Sequence, residues 1–181
     1  MVKLWRCEIC GDPYVGDSPP ENCPFCGAHR GFIKEAKDAK VNFDVQLNET
    51  DLANVKKALE VEISNAEFYF CAAEKTEVEE SRLLFKALGK VEAEHASIWR
   101  KILKMSKEKV TGNDECSVEN KSNLKESHDR EERAIEFYTE AAKASENERV
   151  KEIFEALIEV ERDHLLLSEE RLLHLSEERL R

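Results

Sequence analysis

At 181 residues the chain can hold one domain, or a small one beside a medium one, and its 37% charged and 41% hydrophobic residues suit a patterned helical protein better than a disordered one. A net charge of −11 argues against nucleic acid, whose phosphates demand a basic surface. No apolar run reaches the roughly 18 residues that span a bilayer, and Met1 to Arg6 lacks a signal-like apolar stretch. A cytoplasmic protein is expected, with six cysteines read as metal ligands sooner than disulfides.

Residues 1–40 are organised by two C-x-x-C pairs, Cys7 with Cys10 and Cys23 with Cys26. Each pair lets two thiolates face one ion, and two pairs complete a tetrahedron. Gly11 and Gly27 follow the second Cys of each pair, where glycine tolerates a tight turn. Trp5, Tyr14, Phe25 and Phe32 are expected to form a small apolar lid. A piece this short needs its metal in order to fold. Spacing alone leaves a structural zinc site as open as an iron site. The run W-R-C-x-x-C-G, then Y-V-G, then P-P-E-x-C-P-x-C-G resembles rubredoxin, which implies one iron on four thiolates acting as a one-electron carrier.

Residues 41–51 read as a linker, with Asn48, Thr50 and Asp51 as candidate caps for the helix that follows. Residues 52–181 read as two copies of a helical hairpin. Glu62 and Tyr69, with Glu92 and His95, recur 69 residues later as Glu131, Tyr138, Glu161 and His164. Val55, Leu59, Glu62, Ala66, Tyr69 and Ala73 form one amphipathic seam, and a carboxylate on such a seam needs a cation or hydrogen bonds to compensate its burial. Chain reversals near Glu77 and Glu146 put each hairpin's two Glu level, roughly 22 Å along antiparallel helices. The spacing of three in each E-x-x-H places both side chains on one face. Four Glu and two His then converge at mid-bundle around two metal ions, the arrangement of ferritin-like di-iron proteins.

The hairpins are joined by a long segment, about Ser106 to Glu126, able to travel the length of the bundle. Tyr69 and Tyr138 are expected to hydrogen-bond the ligand carboxylates. Glu67, Glu94, Glu132 and Glu136 fall off the seam and read as solvated, while Cys71 and Cys116 are left without partner or role. His128 sits on the seam one turn before Glu131 and reads as a further ligand, a partner of Glu131 or a partly exposed residue. The leucine-rich tail from Leu165 to Leu180 reads as a continued helix that packs within the chain or against a partner subunit.

Taken together the chain resembles the rubrerythrin family, in the subgroup called reverse rubrerythrins, where the rubredoxin part comes first. The likeness rests on Cys7, Cys10, Cys23, Cys26, Glu62, Glu92, His95, Glu131, Glu161 and His164. It implies a mostly α fold, a ferritin-like four-helix bundle with a long crossover between helices 2 and 3 behind a small rubredoxin-like domain. It implies a peroxidase that reduces hydrogen peroxide in oxidative-stress defence, with one iron on the cysteines and two in the bundle (manganese or zinc being substitutes). Glu92 and Glu161 would bridge, Glu62 and Glu131 would be terminal, and each iron would take one His. An upstream electron donor and a homodimer or higher homo-oligomer follow from the resemblance, head to tail, with one subunit's thiolate iron near the other's di-iron site. The family's extra carboxylate, three residues after Glu131, is Ala134 here. A ferroxidase or iron-handling protein, and a zinc ribbon on a metal-binding bundle, are the competing readings.

Overall fold

The computed structural model describes residues 1–112 and 115–178. Three short antiparallel strands, β1 (Lys3–Cys7), β2 (Pro13–Gly16) and β3 (Ile33–Glu35), form a sheet in the order β2-β1-β3, with Trp5 opposite both Tyr14 and Glu35. Four helices follow: α1 (Glu49–Lys75), α2 (Glu79–Ile102), α3 (Asn120–Ala144) and α4 (Glu148–Glu178). The reversals fall at residues 76–78 and 145–147, where the matched spacing of the acids requires them. The Asn48 side chain caps α1 by accepting from Asp51 N–H at 2.7 Å.

α1 pairs with α2 and α3 with α4. The crossover, whose described residues are 103–112 and 115–119, runs the length of the bundle. It leaves the end where α1 begins and reaches the end where α1 finishes, where Lys75 Nζ donates to the Cys116 carbonyl at 3.1 Å. α3 therefore starts beside the end of α1 and runs back along it. At the opposite end buried Asp51 accepts from Ser145 Oγ at 2.6 Å and Asn147 N at 3.2 Å, tying the start of α1 to the second turn.

Two apolar clusters fill the bundle, one around Val55, Leu59, Trp99, Phe154 and Leu157, the other around Phe68, Phe85, Leu88 and Leu124. On each helix the inward acid lies between them, so the polar belt sits at mid-length. The first cluster continues into the small sheet through Trp5, Ile9, Ala28 and Ile33, so the thiolate piece and the bundle share one core. Of the four aromatics expected to form a lid, Trp5 is buried and Tyr14 and Phe32 are half-buried, but Phe25 is 41% exposed.

Two further expectations need correction. Cys71 and Cys116 are bonded to each other as a disulfide across 45 residues, so two of the six cysteines are neither ligands nor free. Cys71 lies on the flank of α1 that the crossover covers, and the spacing within one helix does not reveal the path of a distant irregular segment. Glu94 is not solvated: its carboxylate sits between Lys101 Nζ at 3.2 Å and Lys107 Nζ at 3.1 Å. Residues 41–48 form no regular element, and Phe43 in this segment lies under the cations of Lys101 and Arg149. The tail continues α4 through Glu178, and the last tail residues lie outside the described ones.

Candidate metal centres

The two C-x-x-C loops are built alike. Gly11 N–H donates to the Cys7 carbonyl and Gly27 N–H to the Cys23 carbonyl, both at 2.9 Å, which closes each loop. Gly11 (φ 86°) and Gly27 (φ 74°) adopt left-handed backbone that a side chain would disfavour. Cys7 Sγ lies 3.8 Å from Cys26 Sγ, and Cys10 Sγ 3.8 Å from Cys23 Sγ. A tetrahedral ion at about 2.3 Å from each sulfur has edges of roughly 3.8 Å, so the pocket already has the size of a metal–thiolate site. Cys10 pulls the Cys23 thiol below its ordinary range, and Cys23 pushes the Cys10 thiol up. Asp12 N–H approaches Cys10 Sγ at 3.4 Å, a contact that would favour the thiolate.

At mid-bundle two groups of four side chains share two acids. Glu62, Glu92, His95 and Glu161 form one, and Glu92, Glu131, Glu161 and His164 the other, with the donor atoms of each within 4.8 Å. Glu92 presents Oε2 to His95 Nδ1 at 3.3 Å and Oε1 to His164 Nδ1 at 3.0 Å. Glu161 presents Oε1 to His95 Nδ1 at 3.2 Å and Oε2 to His164 Nδ1 at 2.9 Å. Each of these carboxylates thus spans both positions, whereas Glu62 belongs to the first alone and Glu131 to the second alone.

The four Glu and His95 are fully buried, and His164 is 7% exposed. Glu62 Oε2, both Glu92 oxygens, Glu131 Oε2, Glu161 Oε1 and His95 Nδ1 have no hydrogen-bond partner. So many buried acceptors without donors carry a heavy desolvation cost that two divalent cations would remove. The residues present therefore fit a two-metal centre. Burial pushes the Glu62 and Glu131 carboxyls well up. Burial opposes charge on Glu92 too, but His164 and His95 outweigh it and bring this carboxyl below its usual range. Burial alone would lower both imidazoles; the surrounding carboxylates, Glu62 foremost for His95 and Glu161 for His164, raise them instead.

The tyrosines cross between hairpins. Tyr69 on α1 donates to Glu131 on α3 and lies 2.9 Å from Ser127 Oγ, and Tyr138 on α3 donates to Glu62 on α1. Burial holds both phenols well above their ordinary range, so they stay neutral donors. His128 does not join either group; it lies nearest Glu132, at 3.9 Å, beside Asp129.

The profile of the rubrerythrin family matches residues 53–169, well over half of the chain. The chain belongs to the rubrerythrin family. The profile of the rubrerythrin rubredoxin-like domain matches residues 5–33, so here the rubredoxin-like part precedes the rubrerythrin part. The same term appears in the name of a similar protein, Reverse rubrerythrin-1 of Clostridium acetobutylicum, 27% identical over 113 residues, an alignment that covers 56% of this chain and 62% of that one. No solved structure matches. The four-Cys cluster and the paired carboxylate–His groups are the iron-binding sets of a rubrerythrin.

The two centres meet directly. His95 Nε2 donates to the Cys26 carbonyl at 2.8 Å, which leaves Nδ1 to face the carboxylates. Within this chain the thiolate loop itself lies against the ring of His95. Pattern reading missed the docking because its contacts are dispersed: Val160 under Gly27, Lys101 Nζ on the Cys10 carbonyl at 2.7 Å, and His29 Nε2 with Asp163 at 2.7 Å.

Proposed function

We propose that this chain is a non-haem di-iron peroxidase that reduces hydrogen peroxide to water, drawing electrons one at a time through a four-Cys iron. Cys7, Cys10, Cys23 and Cys26 would hold the single iron. Glu62 and His95 would serve one iron of the pair and Glu131 and His164 the other, with Glu92 and Glu161 shared between them. The observation that carries this reading is the hydrogen bond from His95 to the Cys26 carbonyl, which joins a one-electron site to a two-metal site through one residue on each side. A protein that only stored or oxidised iron would have no use for that connection.

When bound, the paired irons supply the two electrons that H₂O₂ + 2H⁺ + 2e⁻ → 2H₂O requires. The protein's part is positional. The buried belt excludes bulk water and strengthens every electrostatic contact within it. Tyr69 and Tyr138 hold one oxygen each of Glu131 and Glu62, which sets the orientation of both carboxylates. His95 is fixed as the Nε2–H tautomer by the Cys26 carbonyl.

Among the described residues no helix is long and apolar enough to cross a membrane. A cytoplasmic setting and an upstream reductase are part of this proposal, as is a homo-oligomer using the exposed Leu166 and Leu173 of α4. In the deciding experiment the reduced, iron-loaded chain consumes peroxide much faster than dioxygen. Equal or slower peroxide turnover rejects the assignment. A colourless protein with stoichiometric zinc on its cysteines removes the relay.

A further inference from the structure

Asn65 lies one turn beyond Glu62 on α1 and is 3% exposed. Its Oδ1 accepts from Arg130 Nη1 at 3.4 Å. That guanidinium is itself fixed, donating to Ser64 Oγ at 3.0 Å and Glu126 Oε1 at 2.9 Å and lying 4.4 Å over the Phe68 ring. With the carbonyl end held, the amide's orientation is set, and its Nδ2 is buried without a partner. The unpartnered atoms of the four Glu and of His95 are accounted for by cations. An N–H₂ donor cannot face a cation; its acceptor comes from water or from a small molecule that reaches it.

A groove between α1 and α3 opens beside this amide, lined among others by Lys57, Val61, Ser64, Arg130 and Ala134. Its rim carries Lys57, Arg130 and Arg133 against Glu60, a cationic spot on a chain of net charge −11. Ala134 is the repeat mate of Asn65, since 65 + 69 = 134, so the donor exists on one side of the pseudo-two-fold only.

We propose that this groove admits the incoming peroxide and that Asn65 Nδ2, one turn beyond Glu62 on α1, donates a hydrogen bond to one of its oxygens. The assignment rests on the peroxidase reading for its ligand but not for its geometry. The test titrates azide, a small acceptor anion, into the iron-loaded chain and follows the visible absorption of the centre. Asn65→Ala raises the azide Kd about tenfold, the equivalent of one hydrogen bond, with iron content and Tm held as controls. Asn65→Asp keeps the size and the Arg130 contact but removes the donor, and it weakens azide at least as much. Azide binding within about twofold of wild type in both variants overturns the assignment, whatever the chain does with peroxide. A wild-type chain that binds azide in this Asn65-dependent way yet leaves peroxide untouched removes the peroxidase reading and leaves the donor in place.

Discussion

The Cys26 carbonyl oxygen lies 2.8 Å from His95 Nε2, so a thiolate residue and a metal-facing imidazole of one chain share a hydrogen bond. A path of covalent bonds through Cys26 and one hydrogen bond thus reaches the ring of His95 within one chain. Electron transfer between the centres is expected to be first order, with a rate constant independent of protein concentration. Mixing a Cys10→Ser chain with a Glu161→Gln chain should restore no peroxide turnover, because neither holds both centres. Recovery of activity in the mixture would show that electrons cross between subunits.

The paired tyrosines bear different loads. Tyr138 donates to Glu62, whereas Tyr69 donates to Glu131 and also meets Ser127 Oγ at 2.9 Å. Removing a buried hydrogen-bond partner costs about 1–3 kcal/mol. Tyr138→Phe leaves one group without its partner and Tyr69→Phe two. Denaturant unfolding of the iron-loaded chain is expected to show Tyr69→Phe as the more destabilised variant. The reverse order would mean that Ser127 finds another partner.

Gly27 tests how the thiolate loop is seated. Its φ of 74° disfavours a side chain by about 1–2 kcal/mol, and a Cβ there would come within 2.7 Å of Val160 Cγ1. Gly27→Ala therefore carries a backbone cost and a packing cost. Adding Val160→Ala should relieve the second and leave the first, so the double variant unfolds later in denaturant than the sum of the singles requires. Strict additivity would place the loop away from α4.

Metal loading is coupled to protons. In the metal-free chain burial raises Glu62 and Glu131, and the neighbouring carboxylates raise His95 and His164. Groups with raised pKa hold protons that a cation must displace, so apparent iron affinity increases with pH and each ion releases about one proton or more. A pH indicator in weak buffer during ferrous titration reads this directly. Loading without acidification would mean that the site stands deprotonated before the metal arrives.

Much of this centre is legible in the sequence because a ligand on a helix has only one variable, its register. The matched positions of Glu62, Glu92, Glu131 and Glu161 imply the turns found at residues 76–78 and 145–147, and the E-x-x-H spacing implies a shared face. What escapes is whatever depends on irregular chain. The position of Cys116 against Cys71, the approach of Lys107 to Glu94 and the seating of Cys26 on His95 are all set by segments without periodicity. The Tyr69–Glu131 crossing needs the second hairpin's placement, which the repeat implies but no local pattern specifies.

The disulfide offers the last test. It ties α1 to the crossover across 45 residues, and a loop of that length corresponds to about 4 kcal/mol in the chain-entropy account, with 2–4 typical of measured cases. The crossover is already close to α1 before it reaches the bond: a Cβ on Gly112 would stand 2.7 Å from the Cys71 backbone nitrogen. Reduction should therefore loosen the crossover without displacing it wholesale. Cys71→Ser and chemically reduced wild type are expected to unfold at lower denaturant, and amide exchange should quicken in residues 103–119 while the iron content stays constant. The carboxylate and His ligands sit on α1 to α4 and the cysteine ligands precede α1, none of them on the crossover, so their convergence does not need the bond. Loss of iron on mild reduction would instead make the disulfide part of the metal centre's support.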